Sequence, residues 1–89
     1  MRSRRTESFR KAFATLPDSV QEQARVAYRR FQRDPRHPSL RFKRVHSSEP
    51  IYSVRISLNY RAVGILEGDD IIWYWIGSHT DYEKQLTKR

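Results

Sequence analysis

Apolar residues recur first at helical spacing. Phe9, Ala12, Phe13 and Leu16 fall on one face of a short helix that Thr6 is placed to cap. A second helix is predicted after it, with Thr15 as its cap, Pro17 inside its first turn and Asp18 near the positive end of its dipole. Val20, Ala24, Ala27, Tyr28 and Phe31 form its apolar stripe, Arg25, Arg29, Arg30 and Arg33 face elsewhere, and Asp34-Pro35 stops it. The two helices are expected to form an antiparallel hairpin. Beyond the loop Arg36-His37-Pro38-Ser39 the period changes. Residues 51–57, 60–66 and 71–76 are rich in Ile, Val, Tyr and Trp, and turn signals part them into three strands. Ile71 to Ile76 is apolar on both faces, as a central strand would be. Gly77 ends it, and Ser78-His79-Thr80-Asp81 reads as a capping box opening a short final helix through Leu86. Arg2 to Arg5 would make a poor edge strand. The expected fold is α+β: one domain over residues 1–89, with a helical hairpin on one face of a three- to four-stranded antiparallel sheet.

The strand register brings two arginines together. Ser57-Leu58-Asn59 is predicted as a three-residue hairpin loop, with Asn59 in the left-handed conformation. Ile56 then lies opposite Tyr60, and Arg55 opposite Arg61. Val54, Ile56, Tyr60 and Ala62 share the face beneath the helices, while Ser53, Arg55, Arg61 and Val63 share the other. With a turn at Gly68-Asp69, Trp73 and Trp75 join the core face, and Tyr74 and Ile76 the second. Like charges directly opposite on neighbouring strands destabilise the pair. An anion between them would remove that cost. The alternative is that each guanidinium reaches a carboxylate such as Glu49 or Asp70.

Charge sharpens this picture. The chain carries 18 Lys+Arg against 10 Asp+Glu, a net charge of +8, and 14 of the 18 are Arg. Up to Val63 there are 15 basic and 5 acidic residues, and after it 3 and 5. Such a cationic surface attracts polyanions, and Arg presents a planar fork suited to phosphate oxygens, so nucleic acid or an acidic protein tail is the expected partner. Arg41, Lys43 and Arg44 add to the basic stretch ahead of the first strand, and Tyr74 offers a ring for stacking. The absence of Cys excludes a disulfide framework, a thiolate nucleophile and zinc held by thiolates. No cofactor or metal is expected. No apolar run approaches the roughly 20 residues of a membrane span, and Thr6-Glu7-Ser8 follows the basic start where a signal sequence would be apolar. A cytoplasmic domain is the expectation.

Five segments together resemble a known group. They are Phe9-x-x-Ala12-x-x-x-Leu16, Asp34-Pro35-x-x-Pro38-x-Leu40, Tyr52-Ser53-Val54-Arg55, Tyr60-Arg61-Ala62-Val63 and Ile76-Gly77-Ser78-His79-x-Asp81-Tyr82. In order and spacing, from about residue 6 to residue 86, they resemble the RelE/ParE superfamily, the toxins of type II toxin–antitoxin systems. The resemblance implies a ribosome-dependent, metal-independent endoribonuclease that cuts mRNA in the A site and is held in check by an acidic cognate antitoxin in a hetero-oligomer. In that chemistry a 2′-hydroxyl attacks the adjacent phosphorus, which calls for a base, cations for the crowded phosphorane and a donor for the leaving 5′-oxygen. By resemblance, Arg61 matches the arginine of a Tyr-Arg strand and Arg55 stands where RelE-type members carry a lysine. His79 matches the histidine of the Gly-Thr-His motif of YafQ-type members, and Tyr82 lies near their terminal aromatic residue, at a shorter spacing. A neutral imidazole can serve as a base near pH 7. His37 and His46 read as solvated loop histidines, and Ser78 and Asp81 as capping residues. Two other readings share this surface: a ParE-like inhibitor of DNA gyrase, and a non-catalytic RNA-binding module stacking bases on Tyr52, Tyr74 or Trp75.

Overall fold

In the computed structural model, residues 1–87 are described, with side chains to Lys84. Strand β1 is Arg2–Arg5, helices α1 and α2 are Glu7–Ala14 and Asp18–Arg33, and β2 is Lys43–Arg44. Strands β3, β4 and β5 are Ile51–Ser57, Tyr60–Glu67 and Asp70–Ser78, and α3 is His79–Thr87. The sheet order is β1-β5-β4-β3-β2. All pairings are antiparallel except β1 with β5, which is parallel.

Five strands form where three or four were expected: Arg2–Arg5 is the edge strand judged poor, and Lys43–Arg44 is the unexpected fifth. Arg2 reaches Asp70 at 2.9 Å and Arg4 reaches it at 3.7 Å, so β1 is pinned to the start of β5. The Thr6 N–H continues the pairing by donating to the Trp73 carbonyl at 3.0 Å. A short edge strand rich in arginine also repels further strands.

The start of α1 is as expected, since the Thr6 hydroxyl accepts from the Phe9 N–H. Thr15, expected to open α2, instead closes α1: its hydroxyl donates to the Ala12 carbonyl at 2.7 Å. Helix α2 begins after Pro17 without any side-chain cap. Its buried stripe is Val20, Ala24, Ala27 and Phe31, with Tyr28 half-buried. Phe31 is 2% exposed and packs edge-on against both Phe42 and Trp73.

Two irregularities decide which side chains share a face. Leu58-Asn59 is a two-residue turn that pairs Ser57 with Tyr60, and the spare residue Ile56 is accommodated by a bulge. Asn59 is not left-handed; among the described non-glycine residues only Arg41 is, at φ 46°. The bulge preserves the expected pairing of Arg55 with Arg61. In β5 the register shifts again: Val63 pairs with Trp75 but Gly64 pairs with Trp73, leaving Tyr74 as the extra residue. A one-residue slip reverses every later side chain. Ile76 therefore belongs to the core under the helices with Val54, Ala62, Ile71 and Trp73, whereas Trp75 packs on the opposite face with Tyr74, Ile51, Val63 and Tyr82. The expected placements of Trp75 and Ile76 are both corrected by this single bulge.

Candidate functional site

The face opposite the helices is covered only in part. Helix α3 lies across it through Tyr82, which is 8% exposed. Ser78 caps α3 by accepting from the Asp81 N–H at 3.2 Å. The first helical residue, His79, donates its own N–H to the Asn59 carbonyl at 2.7 Å, tying the helix start to the tip of the β3–β4 hairpin. Its imidazole stacks on Tyr82 with ring centroids 5.9 Å apart, and Tyr82 lies 6.5 Å from Trp75. Trp75 needs the room that Gly77 leaves, because a Cβ there would stand 2.6 Å from the indole. Arg61 pairs with Gly77, so the aromatic stack and the arginines meet at one end of the sheet.

Arg61 is held by the hairpin's backbone. Its Nη1 donates to the carbonyls of Ser57 at 2.7 Å, Tyr60 at 3.0 Å and Leu58 at 3.3 Å. Burial pushes its guanidinium below the usual arginine range, Arg55 and Arg41 push the same way, and Tyr82 opposes them. The group stays charged at neutral pH, because arginine does not deprotonate in proteins. The ion pairs of Asp70, Glu7, Glu22 and Glu83 are made with residues other than Arg41, Arg55 and Arg61. Asp70, one of the two carboxylates proposed for them, is taken by Arg2 and Arg4 instead. Arg55 and Arg41 thus both weigh on Arg61, and Arg41 has left-handed backbone. Such strain collects at functional sites.

The remaining candidates divide between the faces. Lys43 pairs with Ser53 and so lies on the arginine face, as does Tyr74. Arg44 pairs with Tyr52 on the other face, and its Nε donates to the carbonyls of His46 and Glu49. Tyr52 stacks on Phe42 at 4.9 Å and packs against the helix-side core. His37 and His46 are structural: each Nδ1 accepts backbone N–H groups, Ser39 for the first, Ser48 and Glu49 for the second. No cluster of three or more metal-ligating side chains occurs among the described residues. Glu83, which the sequence reading did not single out, places its Oε1 3.1 Å from His79 Nε2. Its i,i+4 spacing was a signal that could have found it.

A second feature lies between the helices. Helices α1 and α2 part over the sheet to leave a cleft of about 370 Å³. Its floor is Val54, Ile56, Ala62, Trp73 and Ile76, and Arg5, Arg10, Arg25 and Arg29 stand on its walls. Of these arginines, Arg25 and Arg29 share Glu22, while Arg5 and Arg10 form no ion pair among the described residues.

Comparison with known proteins places this architecture. A model of the ParE-like toxin domain matches residues 18–84. YafQ from E. coli strain BL21(DE3) superposes with a TM-score of 0.73 at 9% identity, covering 92% of this chain and 98% of its own. A chain of the RelB–RelE antitoxin–toxin complex from Methanococcus jannaschii gives 0.71 at 17% identity, covering 92% and 96%. The isolated E. coli RelE toxin gives 0.66 at 16% identity, covering 98% and 96%. No curated protein sequence matches significantly.

Proposed function

The chain belongs to the ParE-like toxin domain family and is the toxin of a toxin–antitoxin system, and from that premise we propose that it is a ribosome-dependent endoribonuclease that inhibits translation. The observation that carries this reading is the crowding of Arg55 and Arg41 upon Arg61 at the sheet end where His79 sits. A scissile phosphate among these cations gains charge-assisted hydrogen bonds, and the gain grows as the phosphorane accumulates charge. His79 takes the proton of the attacking 2′-hydroxyl. The oxygen bonds to phosphorus, giving a cyclic phosphate, and the 5′-oxygen leaves with a proton from water. Tyr82, nearly buried, serves as the platform for the imidazole, and Lys43 and Tyr74 extend the RNA track. A crowd of cations would repel a divalent metal, which supports chemistry without one.

The acidic antitoxin is assigned to the cleft between α1 and α2, where apolar floor and arginine walls suit an amphipathic acidic segment. A cytoplasmic setting follows from this role; among the described residues no helix is long and apolar enough to cross a membrane.

The test uses purified ribosomes programmed with mRNA. Cleavage is expected only with an empty A site, with free RNA cut slowly or not at all, and EDTA dialysis followed by magnesium restoration should leave the rate unchanged. His79→Ala should bind ribosomes almost as the wild type does and cleave about 10²–10⁴-fold more slowly. The second reading is gyrase inhibition, which a ParE-like toxin domain brings to mind as a class. Intact mRNA together with loss of gyrase supercoiling would establish it.

A further inference from the structure

If His79 is the proton acceptor, one edge of its ring is already committed. Nε2 lies 3.1 Å from Glu83 Oε1, one helical turn further along α3. An ionised carboxylate only accepts hydrogen bonds, so at this distance it favours the neutral tautomer that carries its proton on Nε2. The lone pair is then on Nδ1, which no described residue engages. The ring's plane is set separately, by its stacking on Tyr82 at 5.9 Å and 23°. The carboxylate and the tyrosine ring thus act on different parts of one imidazole.

We propose that Glu83 is a positioning residue for His79, holding the Nε2–H tautomer so that Nδ1 faces the reacting hydroxyl, and balancing the imidazolium that forms when the proton arrives. This rests on the nuclease reading above. The pair is exposed, with side chains 48% and 68% accessible, and such pairs contribute little to folding. Its worth lies in tautomer and orientation, as with carboxylates that hold a catalytic imidazole elsewhere.

Nitrogen-15 NMR of His79 in the isolated protein reads the tautomer without any ribosome. At a pH where the spectra show a neutral ring, the wild type should show Nε2 at its protonated shift and Nδ1 at its bare shift. In Glu83→Ala the two shifts should move towards each other. Glu83→Gln keeps an acceptor oxygen and removes the charge, so it should preserve the shift pattern. In the ribosome assay, Glu83→Ala should lower kcat on the order of tenfold with KM unchanged, below the full acid–base contribution it serves. Glu83→Gln should fall between. Nitrogen shifts that are the same in wild type and Glu83→Ala would overturn the proposal. The expected shifts in a protein whose wild type never cleaves mRNA would instead uphold the positioning role and overturn the nuclease reading.

Discussion

Arg61 shows how much one residue can carry. Three hairpin carbonyls fix its guanidinium, yet burial and the neighbouring Arg55 and Arg41 work against its charge. An anion removes that conflict. Arg55→Gln should therefore stabilise the free protein by roughly 0.2–1 kcal/mol, since it relieves a like-charged cross-strand pair, while weakening binding of RNA or pyrophosphate. Thermal melts with and without pyrophosphate check both effects. A lower melting temperature for the ligand-free variant would mean that the pair is not repulsive. Arg61→Ala should weaken ribosome capture and turnover together, because its fork serves the ground state and the transition state alike.

At the scale of elements, the bulges in β3 and β5 matter more than strand content. The first keeps Arg55 opposite Arg61 although the turn is one residue shorter than expected. The second turns Trp75 out of the helix-side core to support Tyr82 and, through it, His79. Gly77 makes that arrangement possible. Gly77→Ala would force the indole to move and should cost about 1–3 kcal/mol, as overpacking does. Cleavage should fall further than the lost stability explains, because the platform of the imidazole shifts with Trp75. Denaturant melts and cleavage rates on one preparation separate the two effects; full activity at reduced stability would show that the stack does not position His79.

For the molecule as a whole, the sheet separates two surfaces. Its helix side holds the apolar cleft walled by arginine, and its other side holds the cross-strand pair of Arg55 and Arg61, with Arg41 near enough to weigh on Arg61. Electrostatic contacts can be counted by salt dependence, since each phosphate contact on a single strand adds about 0.7 to the slope of log K against log salt. Arg41→Ala should lower that slope for single-stranded RNA by about this amount. Arg10→Ala, on the cleft wall, should leave the RNA slope unchanged and reduce the salt sensitivity of antitoxin binding. Equal effects of both variants on RNA would argue that the +8 charge acts as a diffuse field.

Periodicity and capping are local properties, and they were legible in the sequence: the α2 stripe from Val20 to Phe31, the Thr6 cap, three strands within a residue or two, and Ser78 at the start of α3. Arg55 does face Arg61, but not by the expected turn: the loop is one residue shorter and the bulge at Ile56 restores the pairing. Tertiary structure decided the rest. Alternation alone cannot locate the extra residue at Tyr74, since a bulge is settled by what neighbouring strands and helices can pack, and its position sends Trp75 to one face and Ile76 to the other. Arg2–Arg5 became a strand because Asp70 waits beside it, 68 residues away in sequence. Likewise, no spacing rule foretells that Arg41 comes near enough to Arg61 to depress its basicity. That convergence depends on chain closure across the sheet, where residues distant in sequence are brought together only once the core has formed.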